Sequence, residues 1–400
     1  MNQSYLRRTW AEINLDCLKQ NIQLFSDRLQ KGTRMMAIIK ADAYGHGDEY
    51  ILHELTRCGI SWLGVSNIEE AVALRRHGAK QDILILGYTP PKMAKMLSDY
   101  RITQALYSLD YARELSEEAL KAQVTVNIHF KIDTGMTRIG FVANDSKTRQ
   151  ELSACTSLRG LTPTGVFTHF AVADEKSACS REYTREQFRR FIEICNYLKE
   201  LGYQDLMRHC CNSAAILQYP EMHLDMVRLG ISLYGLYPSE EMRELTTLYP
   251  VMQLKTAVSL VKEVPAGCPI SYGCTFTPKH PSLIATVPIG YADGYPRSLS
   301  NKGEMLLHGR RVPIAGRVCM DQLMLDVTGL SVKRDDTVTV FGEDEGAFLS
   351  VDELASLCGT INYELVCAVS KRVPRVYYQQ GKIIGVSNYF DLIPSAKKHL

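Results

Sequence analysis

Lys40 draws attention because a charged amine follows an otherwise apolar segment. Residues 35–39 read as a short buried strand, apolar on both faces. A lysine is rarely buried without a partner or a chemical role, and one such role is a Schiff base, which needs an amine that can lose its proton. A strand-end lysine can also be a surface cation without a role in catalysis. The motif YGHG follows at residues 44–47.

Other polar side chains also follow apolar strands. They are Lys131 and Arg138 in FKIDTGMTRIG, His169 in GVFTHFA, Asn212 and Ser213 in HCCNSAA, and Arg228 in MVRLGISLYG. In a β/α barrel the carboxyl ends of the strands face the active site, so these residues would line one small-molecule pocket. The glycines of RLGISLYG allow backbone N–H groups to approach a ligand closely, which suits a phosphate.

Strands and helices alternate over the first part of the chain. WLGVS, DILILGYT and TVNIHFKID read as strands, whereas NIEEAVALRRHG and SREYTREQFRRFIEICNYLKELG read as helices. About eight such units fit this length, which predicts an N-terminal (β/α)8 barrel, with a doubly wound open sheet as the alternative. The first strand is not followed by GxGxxG, which weakens a dinucleotide-binding interpretation.

The C-terminal part changes to alternating apolar and polar residues between glycine turns. MQLKTAVSLVKEV, SLIATVPIGYADG and DTVTVFG predict antiparallel strands, and SVDELASLCG predicts one short helix. We therefore predict a β/α barrel over residues 9–240 and a mainly-β domain over residues 241–400, which residues 1–8 could join.

The composition argues against several classes of partner. The chain has 400 residues and a formal net charge of +2, so there is no electrostatic indication of nucleic acid or an anionic membrane. The sequence shows neither a bilayer-spanning apolar run nor the apolar core of a secretory signal. The 12 cysteines have neither zinc-site spacing nor the density of a disulfide scaffold. We expect a reduced cytoplasmic protein without a metal site.

A series of motifs resembles the alanine racemase family, in order and over nearly the whole chain. The motifs are AIIKADAYGHG, KIDTGMTRIG, THFAVAD, NSAA, RLGISLYGLYPS, ISYGCTF, GYADGYPR, GRVCMDQ and INYELVCAVSKRVPR. One motif would be weak, but the ordered set is specific. The resemblance implies a pyridoxal 5′-phosphate enzyme with a barrel and a β domain, which interconverts L- and D-alanine and supplies D-alanine for peptidoglycan.

The resemblance also implies roles for individual residues. Lys40 would hold the cofactor as a Schiff base, and Tyr272 would act with it as the second proton-transfer group, one on each face of the substrate. The cofactor-binding positions would be Lys40, Tyr44, His169, Asn212, Ser213, Arg228, Gly230, Ile231 and Tyr363. The substrate-binding positions would be Arg138, Met320 and Asp321, and Lys131 matches a lysine often carbamylated in the family.

Arg228 and Tyr272 have further implications. Arg228 would face the pyridine nitrogen of the cofactor, and because a guanidinium only donates hydrogen bonds, that nitrogen would stay unprotonated and the electron sink would be weaker. Tyr272 would need cationic neighbours that favour its phenolate. Tyr272 and Met320 would come from the partner subunit, which implies a homodimer with shared active sites.

Three other functions remain as alternatives. Serine racemisation needs only one more hydroxyl to be accommodated, which small pockets discriminate poorly. Decarboxylases of basic amino acids use a related barrel, but they usually place a carboxylate at the pyridine nitrogen and use a partner cysteine, so Arg228 and Tyr272 argue against them. A non-catalytic cofactor-binding barrel would lack the β domain that carries Tyr272 and Met320.

Three residues depart from the family pattern. Thr137 stands where glycine is common, Leu229 where proline is common, and Lys371 where tyrosine is common. None of them removes a proton-transfer group, and Thr137 and Lys371 could affect the choice of substrate.

Overall fold

The computed structural model describes Tyr5 and residues 7–389, and the chain divides into two units. The first unit, the barrel unit, contains Lys19–Ala43 and Asp48–Tyr249. The second, the β-rich unit, contains the described residues up to Leu18, Tyr44–Gly47, and those from Pro250 onwards. The boundary between residues 240 and 241 stays a prediction. Residues 1–4, 6 and 390–400, which belong to the predicted terminal segments, lie outside the described residues.

The elements follow one another along the chain as strands and helices. The strands are β1 (Thr9–Asn14), β2 (Arg34–Ile38), β3 (Trp62–Val65), β4 (Asp82–Ile85), β5 (Ile102–Leu106), β6 (Val126–Asp133), β7 (Phe141–Val142), β8 (Leu161–Phe167), β9 (Met207–His209), β10 (Met226–Leu229), β11 (Met252–Ala257), β12 (Leu260–Val264), β13 (Ser282–Val287), β14 (Glu304–Leu307), β15 (Arg310–Pro313), β16 (Leu323–Asp326), β17 (Thr337–Asp344), β18 (Ala347–Leu349), β19 (Arg375–Gln379) and β20 (Lys382–Ser387). The α-helices are α1 (Leu15–Ser26), α2 (Asp48–Arg57), α3 (Ile68–Arg76), α4 (Ala94–Asp99), α5 (Leu109–Lys121), α6 (Thr148–Thr156), α7 (Ala178–Glu200), α8 (Ser213–Gln218), α9 (Val351–Cys358) and α10 (Asn362–Ala368).

The barrel unit is built on parallel strands. Their order is β10-β2-β3-β4-β5-β6-β8-β9, with the short β7 beside β6. The two ends of this order are joined by hydrogen bonds from the N–H of Asp225 to the carbonyl of Arg208 (3.2 Å) and from the N–H of Arg228 to the carbonyl of Cys211 (3.0 Å). The chain therefore forms a (β/α)8 barrel, as predicted, and the open doubly wound sheet is wrong.

The barrel strands are short and apolar because both faces of a parallel sheet are covered. Every residue of β3 and β5 is buried. Helix α3 begins at a polar cap, because the side chain of Asn67 accepts a hydrogen bond from the N–H of Glu70 at 2.9 Å. Helix α6 was not predicted.

The β-rich unit contains two sheets. One has the order β15-β14-β17-β11-β1-β19-β20, with β18 beside β17, and the other has the order β12-β13-β16. β1 pairs with β11 in the antiparallel and with β19 in the parallel sense, so residues 9–14 belong to this sheet although the predicted boundaries place them in the barrel. The mainly-β domain is confirmed. The helix predicted in SVDELASLCG is confirmed as α9, and a further helix, α10, follows it.

In the part of the chain that the structure describes, we find no helix that combines the length and the apolar character needed to cross a membrane.

Candidate active site

Lys40 lies just beyond β2, at the start of a left-handed turn. Residues 41–44 have φ angles between 52° and 54°, and none of the four is a glycine. Each non-glycine residue in this region costs roughly 1–2 kcal/mol, so the surrounding structure must hold the turn. Sequence reasoning missed the turn because no glycine indicates it.

Two carboxylates hold this turn. Glu70, in the first turn of α3, accepts hydrogen bonds from the N–H of Ala41 (2.7 Å) and the N–H of Ser66 (2.8 Å). Asp42 accepts a hydrogen bond from the N–H of Asp48 at 2.9 Å. Glu70 thus links the segment after β2 to the segment after β3.

Arg228, at the carboxyl end of β10, is 3% exposed. Its Nη1 donates to Nδ1 (2.9 Å) and to the carbonyl (3.0 Å) of His209. Its Nη2 donates to the carbonyls of Thr168 (2.7 Å) and Cys210 (2.9 Å) and to Nδ1 of His169 (3.2 Å). Burial lowers the pKa of Arg228 to about 10, which still leaves it charged at neutral pH.

Arg228 also determines the tautomer of two histidines. A guanidinium has no acceptor, so Nδ1 of His209 accepts and its hydrogen is on Nε2. His209 Nε2 lies 3.0 Å from Nδ1 of His129 and donates to it. Burial and the charge of Arg228 lower the pKa of His129 to about 3 and that of His209 well below its usual value, so both rings are neutral. A Cβ at Gly165 would lie 2.6 Å from the His129 ring, so glycine is required there.

Sequence reasoning did not single out His129. It lies within the buried strand β6, and a histidine flanked by apolar residues was the signal that could have found it.

Lys131 is buried at the carboxyl end of β6, with 4% of its surface exposed. Its Nζ donates to the carbonyl of Ile132 at 3.0 Å and lies 5.4 Å from the ring centroid of Phe167. Burial and the charge of Arg228 lower its pKa to about 7. A large fraction of this amine is therefore neutral near pH 7, which is the nucleophilic form.

His169 lies close to the basic residues that the sequence predicts for the barrel site. Burial, followed by the positive charges of Arg228, Lys131, Arg138 and Lys40, lowers the pKa of His169 well below its usual value. These four basic side chains follow β10, β6 and β2 or lie at their ends, and His169 follows β8. The structure thus brings the predicted basic residues of the barrel together at one end, where those that stay charged would attract an anionic ligand.

Four of the predicted cofactor-binding residues lie beside β9 and β10, namely Asn212, Ser213, Gly230 and Ile231. The N–H of Gly230 donates to Oγ of Ser213 at 2.9 Å, and a hydroxyl that accepts keeps its own hydrogen as a donor. Asn212 caps α8 by accepting a hydrogen bond from the N–H of Ala215 at 3.0 Å. Ile231 opens a 3-10 turn directly after Gly230. A hydroxyl and closely spaced backbone N–H groups form a donor set that fits a phosphate.

Tyr44 and Tyr363 lie together in the β-rich unit. Their ring centroids are 6.2 Å apart, with the rings tilted by 55°. Gly45 follows with φ of 79°, and a Cβ there would lie 2.2 Å from the carbonyl oxygen of Val366. The glycine of this motif is therefore required by close packing against α10.

Tyr272 and Met320 are unusually exposed members of the β-rich unit. Tyr272 is 71% exposed and Met320 is 53% exposed. Tyr272 lies on a single 3-10 turn (Tyr272–Cys274). Ser271 before it has φ of 68°, and its Oγ donates to the carbonyl of Arg317 at 2.8 Å.

Asp321 belongs to a charged network that sequence reasoning missed. Nη2 of Arg372 donates to Asp321 at 2.5 Å, and its Nε donates to Asp293 at 2.8 Å. Asp293 is fully buried and also pairs with Arg8. Both Asp293 and Arg372 lie inside motifs that carry the family resemblance, GYADGYPR and INYELVCAVSKRVPR, but the sequence predicts no role for either residue.

The side chains present fit the chemistry of pyridoxal 5′-phosphate. A lysine amine, a buried guanidinium and the donors around Gly230 supply, respectively, a group that can bind an aldehyde carbon, a donor for a ring nitrogen and a phosphate site. Among the described residues we find no group of three or more histidine, cysteine or carboxylate side chains placed to bind a metal ion.

Comparison with known proteins identifies the family. The family models described as alanine racemase N-terminal domain and C-terminal domain match residues 13–238 and 251–377. An alanine racemase of Clostridium tetani is 44% identical over 388 residues, which are 96% of this chain and 99% of that protein.

Two solved structures are similar as well. An alanine racemase of Clostridium difficile 630 has a TM-score of 0.91 and 39% identity, covering 96% of this chain and 99% of that one. That of Bacillus anthracis with bound L-Ala-P has a TM-score of 0.91 and 35% identity, covering 97% and 99%. Both domains and nearly the whole chain are matched, and the chain belongs to the alanine racemase family.

Proposed function

We propose that this chain interconverts L- and D-alanine with pyridoxal 5′-phosphate bound through Lys40. The similarity to alanine racemases extends over 96% of the chain, which supports the reaction. The observation that carries the proposal is Arg228, which is buried and hydrogen-bonded to neutral histidines and carbonyls at the mouth of the barrel.

The barrel residues would hold the cofactor as a set. When bound, pyridoxal 5′-phosphate stabilises negative charge at the substrate Cα. Lys40 Nζ would bind it covalently, and the Ser213 hydroxyl with the backbone of Gly230 and Ile231 would bind its phosphate. The remaining proposed contacts are those of Tyr44, His169, Asn212, Arg228 and Tyr363.

Arg228 would set the strength of the cofactor as an electron sink. Its guanidinium stays charged and can only donate, so it leaves a ring nitrogen without a proton. The neutral rings of His209 and His129 favour the charged form of Arg228, since neither ring adds a second positive charge beside it. A weaker sink shortens the time available for side reactions and favours return of the proton to Cα.

Two groups would move the proton at Cα. Lys40 Nζ would act on one face and the Tyr272 hydroxyl on the other, so each enantiomer can be deprotonated on one side and reprotonated on the opposite side. The exposure of Tyr272 and Met320 supports a homodimer in which both are presented to the partner subunit.

Arg138, Met320 and Asp321 would receive the substrate carboxylate. A carbamate on Lys131 would convert a cation into an anion able to orient Arg138. The pKa of Lys131, lowered to about 7, supports this modification because CO2 reacts with a neutral amine.

The proposed setting is the cytoplasm, where thiols stay reduced, and the proposed use of D-alanine is peptidoglycan synthesis. Small amino acids and a second copy of the chain are the proposed partners, without nucleic acid or membrane.

The direct test is racemisation of L-alanine and L-serine side by side with added cofactor. Lys40→Ala should abolish activity, whereas the matched variant Lys121→Ala, at an exposed lysine, should not change it. Alanine conversion well above serine conversion would support the proposal. Serine conversion equal or faster would reassign the substrate, and conversion of neither by folded, cofactor-loaded dimer would reject racemisation.

A further inference from the structure

We propose that Glu70 is a positioning residue for Lys40, because its carboxylate fixes the peptide that joins Lys40 to the left-handed turn. This inference rests on the proposed function of Lys40. Glu70 lies outside the motifs that carry the family resemblance.

The peptide between Lys40 and Ala41 couples the conformations of these two residues. A peptide unit is planar, so fixing the N–H of Ala41 also fixes the carbonyl of Lys40 and the ψ angle of Lys40. Oε1 of Glu70 accepts from this N–H at 2.7 Å. The bond therefore acts directly on the direction in which the Lys40 side chain leaves the backbone.

Glu70 is itself well anchored. Its N–H donates to Oδ1 of Asn67 at 2.9 Å, and its Oε2 accepts from the N–H of Ser66 at 2.8 Å. It lies in the first turn of α3, where the positive end of the helix dipole stabilises a carboxylate. The position of the carboxylate is thus fixed by α3, and the carboxylate in turn fixes the first residue of the left-handed turn.

The turn needs such an external contact. Ala41 has φ of 53° and an exposed methyl side chain, which offers little packing to maintain a strained conformation. Asp42 ties the far part of the turn to Asp48, whereas the Glu70 bond acts at the residue next to Lys40.

A purely structural alternative is that Glu70 only completes the cap of α3 through Ser66. This alternative predicts a loss of stability without an effect on Lys40. The two explanations differ in kcat, in the pH dependence of the bound cofactor's visible absorption, and in the exchange rate of the Ala41 amide.

The experiment compares Glu70→Ala and Glu70→Gln with Glu69→Gln, a neighbouring exposed glutamate on the same helix turn. All are measured as cofactor-loaded enzyme with alanine. We expect Glu70→Ala to lower kcat about tenfold or more, to change KM less than twofold, to shift the pH midpoint of the absorption, and to speed exchange of the Ala41 amide. Glu70→Gln keeps one acceptor oxygen, so we expect its kcat, absorption midpoint and Ala41 exchange rate to lie between those of Glu70→Ala and the wild type. Glu69→Gln should match the wild type in all three.

A second substitution separates positioning from capping. Glycine adopts φ near 53° without steric cost, so Ala41→Gly should restore part of the kcat in the Glu70→Gln background but not repair the cap. An unchanged kcat and absorption midpoint in both Glu70 variants, with lower thermal stability alone, would overturn the inference. If the wild type does not racemise alanine, the proposed function fails, and the positioning role is then judged from Glu70→Gln by cofactor absorption and Ala41 amide exchange alone. Altered absorption and exchange would support positioning. Unaltered absorption and exchange would reject it.

Discussion

Arg228 donates a hydrogen bond from Nη1 to Nδ1 of His209 at 2.9 Å, and this bond extends its influence to a second buried histidine. Because His209 must accept at Nδ1, its Nε2 hydrogen points to Nδ1 of His129 at 3.0 Å. Arg228, which would face the cofactor, is therefore followed by a hydrogen-bonded chain of two neutral rings, His209 and then His129. A protonated ring in this series would place two positive charges together in a buried site.

The first prediction concerns the pH dependence of stability. The pKa of His129 is lowered to about 3 in the folded chain, whereas it is about 6.5 in an unfolded one. Between these values the unfolded state binds a proton that the folded state does not, so His129 makes stability fall as the pH falls below about 6.5. His129→Gln should reduce this pH dependence, measured by urea unfolding from pH 7.5 to 4.5.

The matched control for His129 is His280→Gln, at an exposed histidine, which should keep the wild-type slope. An equal slope in wild type and His129→Gln would contradict the neutral-ring interpretation.

The second prediction is that Lys131 binds CO2. Its amine has a pKa lowered to about 7, so the neutral, reactive fraction rises from pH 6 to pH 8. Enzyme equilibrated with 13C-bicarbonate should show a carbamate resonance that grows over this range. Lys131→Arg should abolish the resonance, and Lys121→Arg should retain it. A resonance that survives Lys131→Arg would place the carbamate elsewhere.

The third prediction concerns Asp293, which is fully buried between Arg372 and Arg8. Asp293→Asn leaves both arginines without this negatively charged partner and should lower the free energy of unfolding by about 3–5 kcal/mol. Asp321→Asn breaks the more exposed contact of the same Arg372 and should cost about 0–1 kcal/mol. Denaturant unfolding of both variants tests the difference, and equal losses would mean that burial does not determine the role of Asp293.

Sequence reasoning predicted the parts of this structure that depend on local pattern. The alternation of apolar strands with helices predicted the barrel. The apolar segments before Lys40 and Arg228 predicted that both residues lie at the carboxyl ends of barrel strands. It could not predict that Thr9–Asn14 pairs with Met252–Ala257, since that contact joins distant parts of the chain. The left-handed turn after Lys40 was equally hidden, because tertiary hydrogen bonds rather than glycine maintain it.

The fourth prediction concerns Thr137, which departs from the glycine common in the family. Its φ is 54°, and its N–H donates to Oδ1 of Asp133 at 3.0 Å. A β-branched residue is strained in this region, so Thr137→Gly should raise the free energy of unfolding by about 1 kcal/mol. Thr125→Gly, at an exposed threonine without positive φ, should instead lower it. Loss of stability in both would show that Thr137 is not strained.

The fifth prediction tests the proposed sharing of active sites between subunits. Lys40→Ala and Tyr272→Ala chains should each be inactive. In a mixed dimer, one site would combine the intact Lys40 of one chain with the intact Tyr272 of the other, whereas the second site would lack both. Random mixing makes about half of the dimers mixed, each with one working site of two, so up to about one quarter of wild-type activity should return.

The control for shared sites is a mixture of Lys40→Ala with Arg228→Ala. Both residues belong to the barrel unit, so each site would take them from the same chain and every site would lack one of them. This mixture should stay inactive although its dimers form equally well. Recovery with Tyr272→Ala but not with Arg228→Ala would therefore assign Tyr272 to the partner subunit, and no recovery in mixed dimers shown to form would reject the shared site.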